Sequence, residues 1–249
     1  MATGNDSRPI WAVPEPADRK PRYTREQIAA AALRIADTEG FDAVTMQRIA
    51  AEVGAGTMTL YYYVRTKADV VALMQDAILA DILLPDDELP ADWRAALTAV
   101  ARRSRQVLMT HPWSLTSLDE AQFGPNAMRH FEQSLAATTG AGLSAAARLE
   151  LIAAVDDYVA GNALHGVEAL TRARIAQQDP DMVAAAIEYG LALTDSGDFP
   201  QLRALYAAST SGQGAEQATP PMTEEALDSQ FERGLQALLS GLALQMNIA

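Results

Sequence analysis

The chain is predicted to be all-α and in two parts: a three-helix N-terminal head and a larger helical body behind it. Three observations predict this. Apolar residues recur at spacings of three and four almost throughout, and no stretch alternates β-branched residues as a strand would. Residues 45–67, TMQRIAAEVGAGTMTLYYYVRTK, set two short helical patterns on either side of a glycine-containing turn, the plan of a helix-turn-helix. Charge is divided unevenly: residues 1–67 carry 9 Lys/Arg against 8 Asp/Glu, residues 68–249 carry 10 against 24, and the whole chain comes to -13. The expected division is an arm over 1–22, the head over 23–68 and the body over 69–249.

Residues 1–22 hold Pro9, Pro14, Pro16 and Pro21 with no periodicity, which predicts a disordered arm. Its basic cluster is Arg19, Lys20 and Arg22. The first helix spans Thr24 to Glu39, opened by Thr24 and Gln27 at capping-box spacing and closed by Gly40. Its inward face is Ile28, Ala31, Ala32, Ile35 and Ala36.

Thr45 stands where an N-cap is expected for the second helix, whose Met46, Ile49, Ala50 and Val53 share a face. Gly54 ends it, because a residue without Cβ is favoured where the backbone turns left-handed. A new helix begins at Thr57, with Leu60 and Val64, four apart, as its apolar anchors. The remaining side chains can face outward, and in a helix-turn-helix this second helix enters the major groove. Thr59, Tyr61 and Tyr63 carry hydroxyls suited to phosphate oxygens, and Arg48, Arg65 and Lys67 supply positive charge.

These residues resemble the N-terminal domain of the tetracycline-repressor (TetR) family. The likeness covers the helix 24–39 with Gly40-Phe41, the Val44-Thr45 step, the Ile49-Ala50 and Val53-Gly54 pairs, and Thr59-Leu60-Tyr61-Tyr62-Tyr63-Val64 with Lys67. It implies that Thr59, Tyr61, Tyr63 and Lys67 meet the DNA backbone while Tyr62 packs inward. Bases would then be read by Gln47, Thr57 and Met58, Gln47 pairing bidentately with adenine and Met58 touching a thymine methyl. Thr45 and Arg48 complete the set expected at the DNA. The tetracycline repressor itself has arginine where Gln47 stands here, so a different operator is expected.

Composition narrows the class. The 49% apolar and 20% charged content is that of a globular protein, and without cysteine neither disulfides nor thiolate metal sites can form. No apolar run approaches a membrane span and no signal-peptide core opens the chain, so a cytoplasmic protein is expected. The near-neutral head can still bind phosphates, whereas the acidic body should repel DNA elsewhere.

Thr66 and Asp69 signal a fourth helix with Val70, Leu73, Met74, Ala77 and Ile78 as its period, stopped by Pro85 and the acidic residues after it. By resemblance this helix transmits ligand binding to the head. Beyond Pro90, turn signals mark helices at 91–110, 113–119, 126–138, 144–177, 180–194, 199–208 and 223–246, with a mobile loop over 209–221. The last helix repeats Leu227, Phe231, Leu235, Leu238, Leu242 and Met246. Helix 144–177 presents Leu149, Ile152, Val155, Val159, Ala163, Gly166 and Leu170, with Gly161 and Gly166 permitting close approach. Two such helices from each of two copies would make a four-helix homodimer interface, suited to a two-fold operator.

Candidate ligand contacts are Met74, Met109, Trp113, Met128, Phe131, Tyr158, Asn162 and His165, since adaptable apolar pockets use methionines, aromatics and a few polar groups. Asn162 and His165 stand out as polar groups on a mostly apolar helix. Arg102, Arg103 and Arg105 are expected to be a solvated, salt-bridged face. His111, His130 and His165 lack metal-ligand spacing, so no metal and no cofactor is expected. No nucleophile elbow or phosphate loop is present, and Asp156-Asp157 diverge on their helix, which disfavours catalysis. The resemblance implies a ligand-responsive DNA-binding regulator, a repressor released from a palindromic operator by a small molecule. The alternative is a small-molecule binding or sequestering protein whose helix-turn-helix is vestigial.

Overall fold

The computed structural model describes residues 8–15, 22–85, 87–117, 123–210 and 223–248, which hold ten α-helices and no strand. They are α1 (Arg25–Glu39), α2 (Met46–Val53), α3 (Thr57–Leu60), α4 (Lys67–Ile82), α5 (Trp93–Thr110), α6 (Pro125–Ala137), α7 (Ala145–Gln178), α8 (Pro180–Asp195), α9 (Pro200–Thr210) and α10 (Glu224–Met246). Local chemistry explains most of their ends. Thr24 and Gln27 exchange both capping-box bonds at the start of α1, and Thr45, Thr66 and Asp92 cap α2, α4 and α5 with their side-chain oxygens. The predicted helix 113–119 is instead a 3-10 turn over Pro112–Thr116, with residues 118 and 119 outside the described residues. The predicted loop 209–221 begins later, because α9 runs through Thr210; residues 211–221 lie outside the described residues.

The arm departs most from expectation. Residues 8–15 are packed onto the head: Ile10–Ala12 form a 3-10 turn and Ile10 is fully buried. Buried Arg25 holds this segment, its Nη1 donating to the carbonyls of Ile10 (3.0 Å) and Val13 (2.6 Å) while its Nε donates to the carbonyl of Tyr63 (3.0 Å). A buried isoleucine contributes about 1.5–3 kcal/mol, enough to offset the ordering of a few residues. Arg19 and Lys20 lie outside the described residues, and Arg22 sits exposed over the Tyr23 ring.

The helix that positions everything else is α4. Residues 69–76 are buried without a break, because α1 packs on one side of α4 while α5 and α6 pack on others. The polar groups this carries inside are bonded. Gln75 Nε2 donates to the Ser114 carbonyl (3.0 Å) and the Ser117 hydroxyl (2.7 Å). The Asp76 carboxylate accepts from the backbone amides of Asn126 (3.0 Å) and Ala127 (2.9 Å), at the unsatisfied N-terminus of α6.

By contact the chain forms two units, Met1–Leu164 with Ala237–Ala249, and His165–Gln236. Head and first body helices share a unit because α4 belongs to both. Along α10 the buried residues are Leu227, Phe231, Leu235, Leu239 and Ala243, so the stripe advances by fours and Leu238 and Leu242 are only half-buried. On α7, Leu151, Ile152, Val155, Val159, Ala163 and Ala169 are buried but Leu149 is exposed.

Candidate nucleic-acid interface

The turn between α2 and α3 is locked by backbone geometry. Gly54 adopts φ 70° and ψ 35°, a left-handed conformation that only glycine reaches without strain. Ala55 N donates to the Ala50 carbonyl (2.8 Å) and Gly54 N to that of Ala51 (3.2 Å), the paired bonds of a Schellman ending. The Tyr23 hydroxyl donates to the Gly54 carbonyl (2.8 Å), which ties the turn to the start of α1.

Beyond it, Leu60 and Val64 are fully buried and the reading residues project outward. Met58 is 81% exposed, Tyr61 46% and Tyr62 58%, with Thr59 and Gln47 exposed and Thr57 half-buried. Tyr63 is only 5% exposed, its ring edge-on to Tyr23 at 6.3 Å and to Tyr62 at 5.6 Å. The expected placement of the last two tyrosines is therefore reversed: Tyr62 faces solvent and Tyr63 belongs to the core. The helical register explains why. Tyr63 donates its amide to the Leu60 carbonyl and returns to that residue's face, whereas Tyr62, two residues on, points away.

The charges are also placed differently. Arg48 is held by Glu39 (2.6 Å) and Glu52 (2.9 Å), and these hydrogen bonds hold the guanidinium more firmly protonated and push the Glu52 carboxyl down. The two pairs brace α1 against α2. Arg65 pairs with the buried carboxylate of Asp69 (2.9 Å) and donates to the Arg8 carbonyl (2.8 Å), so it too serves the frame. Thr45 is exposed, and its hydroxyl oxygen accepts from Arg48 N (3.2 Å) as a cap. Lys67 remains on the exposed side, its ammonium 4.9 Å above the Phe41 ring.

That ring leads inward. Phe41 stacks on Trp113 with centroids 5.8 Å apart and planes within 6°. The Trp113 indole donates to Asp37 Oδ1 (3.1 Å), and His111 Nδ1 lies 2.8 Å from the same oxygen. The end of α5 is thus fastened to α1 and, through Phe41, stands beneath Lys67.

The model for "Bacterial regulatory proteins, tetR family" matches residues 28–74, and that for "Tetracyclin repressor-like, C-terminal domain" matches 84–246. The chain belongs to the tetR family. It is 32% identical over 227 residues to the HTH-type transcriptional repressor DrrR1 of Streptomyces coeruleorubidus, covering 90% of this chain and 78% of that one. An HTH-type transcriptional regulator of Saccharopolyspora erythraea is 30% identical over 236 residues, 94% and 91% of the two chains. The fold is shared with Streptomyces coelicolor ActR, solved in complex with actinorhodin, at TM-score 0.67 and 23% identity over 91% of this chain and 98% of that one. The helix-turn-helix is therefore that of a DNA-binding transcriptional regulator.

In this TetR-family regulator the expected effector residues are scattered. Met74 is buried in the core that the head shares with α4, and Trp113 is bonded to Asp37 and stacked on Phe41. Met128 and Phe131 are exposed on α6, and Met128 lines a cavity of ≈ 460 Å³ with Leu83, Leu84 and Leu89. Met109, Tyr158 and Asn162 are half-buried, and the Asn162 carbonyl oxygen accepts from Arg105 Nε (2.7 Å). His165 is exposed, so the cost of burying it does not arise. Arg105 is buried, contrary to the solvated face expected, and Arg103 Nε donates to the Asp81 carbonyl (2.5 Å).

The reading from sequence missed three other groups. Ser104 Oγ on α5, Ser114 Oγ in the 3-10 turn and His130 Nδ1 on α6 are buried with no hydrogen-bond partner. Each such atom costs about 1–3 kcal/mol until something bonds to it. Burial also pushes the His130 ring down from its usual pKa, which keeps it neutral. Serines and a lone histidine carry no spacing signal, so only packing could reveal them.

Proposed function

We propose that this TetR-family regulator is a homodimeric repressor, acting in the cytoplasm, whose two heads hold a palindromic operator until a small molecule enters the body. The observation that carries this reading is the bare hydroxyl face of Thr59, Tyr61 and Tyr62 beside Lys67, above a turn locked by Gly54. Hydroxyls and an ammonium there suit phosphate oxygens, while Gln47, Thr57 and Met58 are left to read base edges. DrrR1 carries the name of a repressor, ActR has been solved with actinorhodin, and another relative in fold, BioQ, with its DNA operator.

Effector binding is supported by the unbonded polar atoms of Ser104, Ser114 and His130, which an oxygen-rich ligand would satisfy. The Trp113–Phe41–Lys67 stack offers such a ligand a route to the head, since any shift of the 3-10 turn displaces the ring beneath the lysine. Coupling requires only that the ligand bind more tightly to the arrangement whose heads no longer fit successive grooves.

The dimer is supported by uncovered apolar side chains. Leu149, Leu164 and Leu244 are exposed on α7 and α10, and α8 and α9 expose Met182, Ile187, Tyr189, Leu191, Leu202 and Leu205. A Cβ on Gly161 would meet nothing within 4 Å among the described residues, so its small size serves no contact among them.

The test is fluorescence anisotropy with DNA from the regions flanking the gene, alongside light scattering. The expected result is a two-fold particle that selects one palindrome and loses affinity steeply with salt. Retention of all sequences alike, or a protomer that stays single at the concentrations that bind DNA, overturns the reading.

A further inference from the structure

A further cavity lies outside the proposed DNA face and the body candidates. It has a volume of ≈ 620 Å³ and lies between residues 11–15, α1, α4 and the start of α6. Its walls are mostly apolar, with Trp11, Ala29, Leu33, Leu73 and Ala77 among them. Its charged lining is Glu15, Glu26, Asp76 and Arg25.

Their commitments set the sign of the site. The Arg25 guanidinium is bonded to the carbonyls of Ile10, Val13 and Tyr63, and the Asp76 carboxylate to the amides of α6. Glu15 spends one oxygen on Arg25 N (2.8 Å), and Glu26 stands exposed in the first turn of α1. An anion entering here would meet three carboxylates and one guanidinium, whose Nε and Nη1 donors are already given to backbone carbonyls. A cation would meet the reverse.

The wall is shaped around an aromatic ring. A Cβ on Gly124 would lie 2.7 Å from Trp11 Cε2 and 2.3 Å from Asp76 Oδ1, so only glycine lets the indole lie against the start of α6. Trp11 Nε1 is buried there with no hydrogen-bond partner. An aromatic wall attracts a cation through its π face.

We propose that this cavity is a second small-molecule site, separate from the effector position in the body, and that it takes an aromatic organic cation. Its size falls within the range of small-molecule pockets. An occupant would touch the arm, α1, α4 and α6 together and so brace the head against the body.

The probes are rhodamine 6G and fluorescein, which share a fused ring system and differ in charge, titrated against the full chain by fluorescence anisotropy. Rhodamine 6G is expected to saturate at one per protomer and fluorescein to bind far more weakly. Glu15→Gln with Glu26→Gln, both at exposed positions, should weaken rhodamine 6G about tenfold, the scale of two surface charge pairs, with the thermal transition unchanged. Ala30→Trp, placed to fill the cavity, should abolish binding; if that variant does not fold, the paired glutamines decide alone. Equal affinity for the two dyes, or a double variant within twofold of the parent, overturns the proposal. No DNA enters the measurement, so its outcome is independent of the operator reading.

Discussion

Two helices of 16 residues each, α4 and α8, are both apolar around most of their circumference and end in opposite situations. Ten residues of α4 are buried, polar ones included, whereas Thr194 is the one buried residue of α8. A helix that is apolar all round must be covered. For α4 the cover is in the chain: α1, α5 and α6 pack on it, and Gln75 and Asp76 are bonded. For α8 the described residues of its own unit supply almost none, and Ile187 and Tyr189 are 58% and 68% exposed. The difference teaches that apolarity announces burial but not the source of the burying surface.

The sharpest way to break this comparison is to place the same change in both helices. Ile78→Asp puts a carboxylate where 1% of the residue is exposed, and should abolish the cooperative thermal transition, at a cost above about 4 kcal/mol. Ile187→Asp should leave the protomer folded and shift light scattering from twice the protomer mass to once. If Ile187→Asp unfolds the chain instead, α8 is core and the contrast fails.

A second contrast lies inside the head, between arginines paired with the frame and a lysine proposed to meet a phosphate. Arg25→Ala strands the carbonyls of Ile10, Val13 and Tyr63 and should cost about 3 kcal/mol of stability, read by denaturant titration. Lys67→Ala should leave stability nearly unchanged while lowering the salt slope of operator binding by about 1. A Lys67→Ala variant with an unchanged slope would move the phosphate contact elsewhere. The smallest effect separates neighbouring tyrosines: Tyr61→Phe should weaken all sequences alike by about 1 kcal/mol, while Tyr63→Phe should alter operator affinity by less than a few tenths. Equal losses at both positions would return Tyr63 to the DNA face.

Helix ends were legible because their causes are local. Thr24 with Gln27, Thr45, Thr66 and Gly54 each sit within a turn of the backbone groups they satisfy, and the observed boundaries lie within two residues of those expected at these positions. The partners of the ligand candidates were not legible, since the Trp113 bond to Asp37 and the Asn162 bond to Arg105 join residues more than fifty positions apart. The cavity beside Trp11 left no trace in the pattern, because residues 8–15 are too short to show a period and are ordered by an arginine that follows them in the chain.

The amino-acid order by itself determined the all-helical class, the glycine-locked turn and the hydroxyl-rich reading segment, since spacing, capping and left-handed backbone depend on neighbours within four residues. Only the tertiary structure decided that Tyr63 goes in and Tyr62 out, that Arg48 and Arg65 pair with carboxylates of the head, and that Phe41 and Trp113 stack beneath Lys67. Those outcomes hang on partners tens of residues away, and long-range packing sets which of several chemically able side chains is already spoken for.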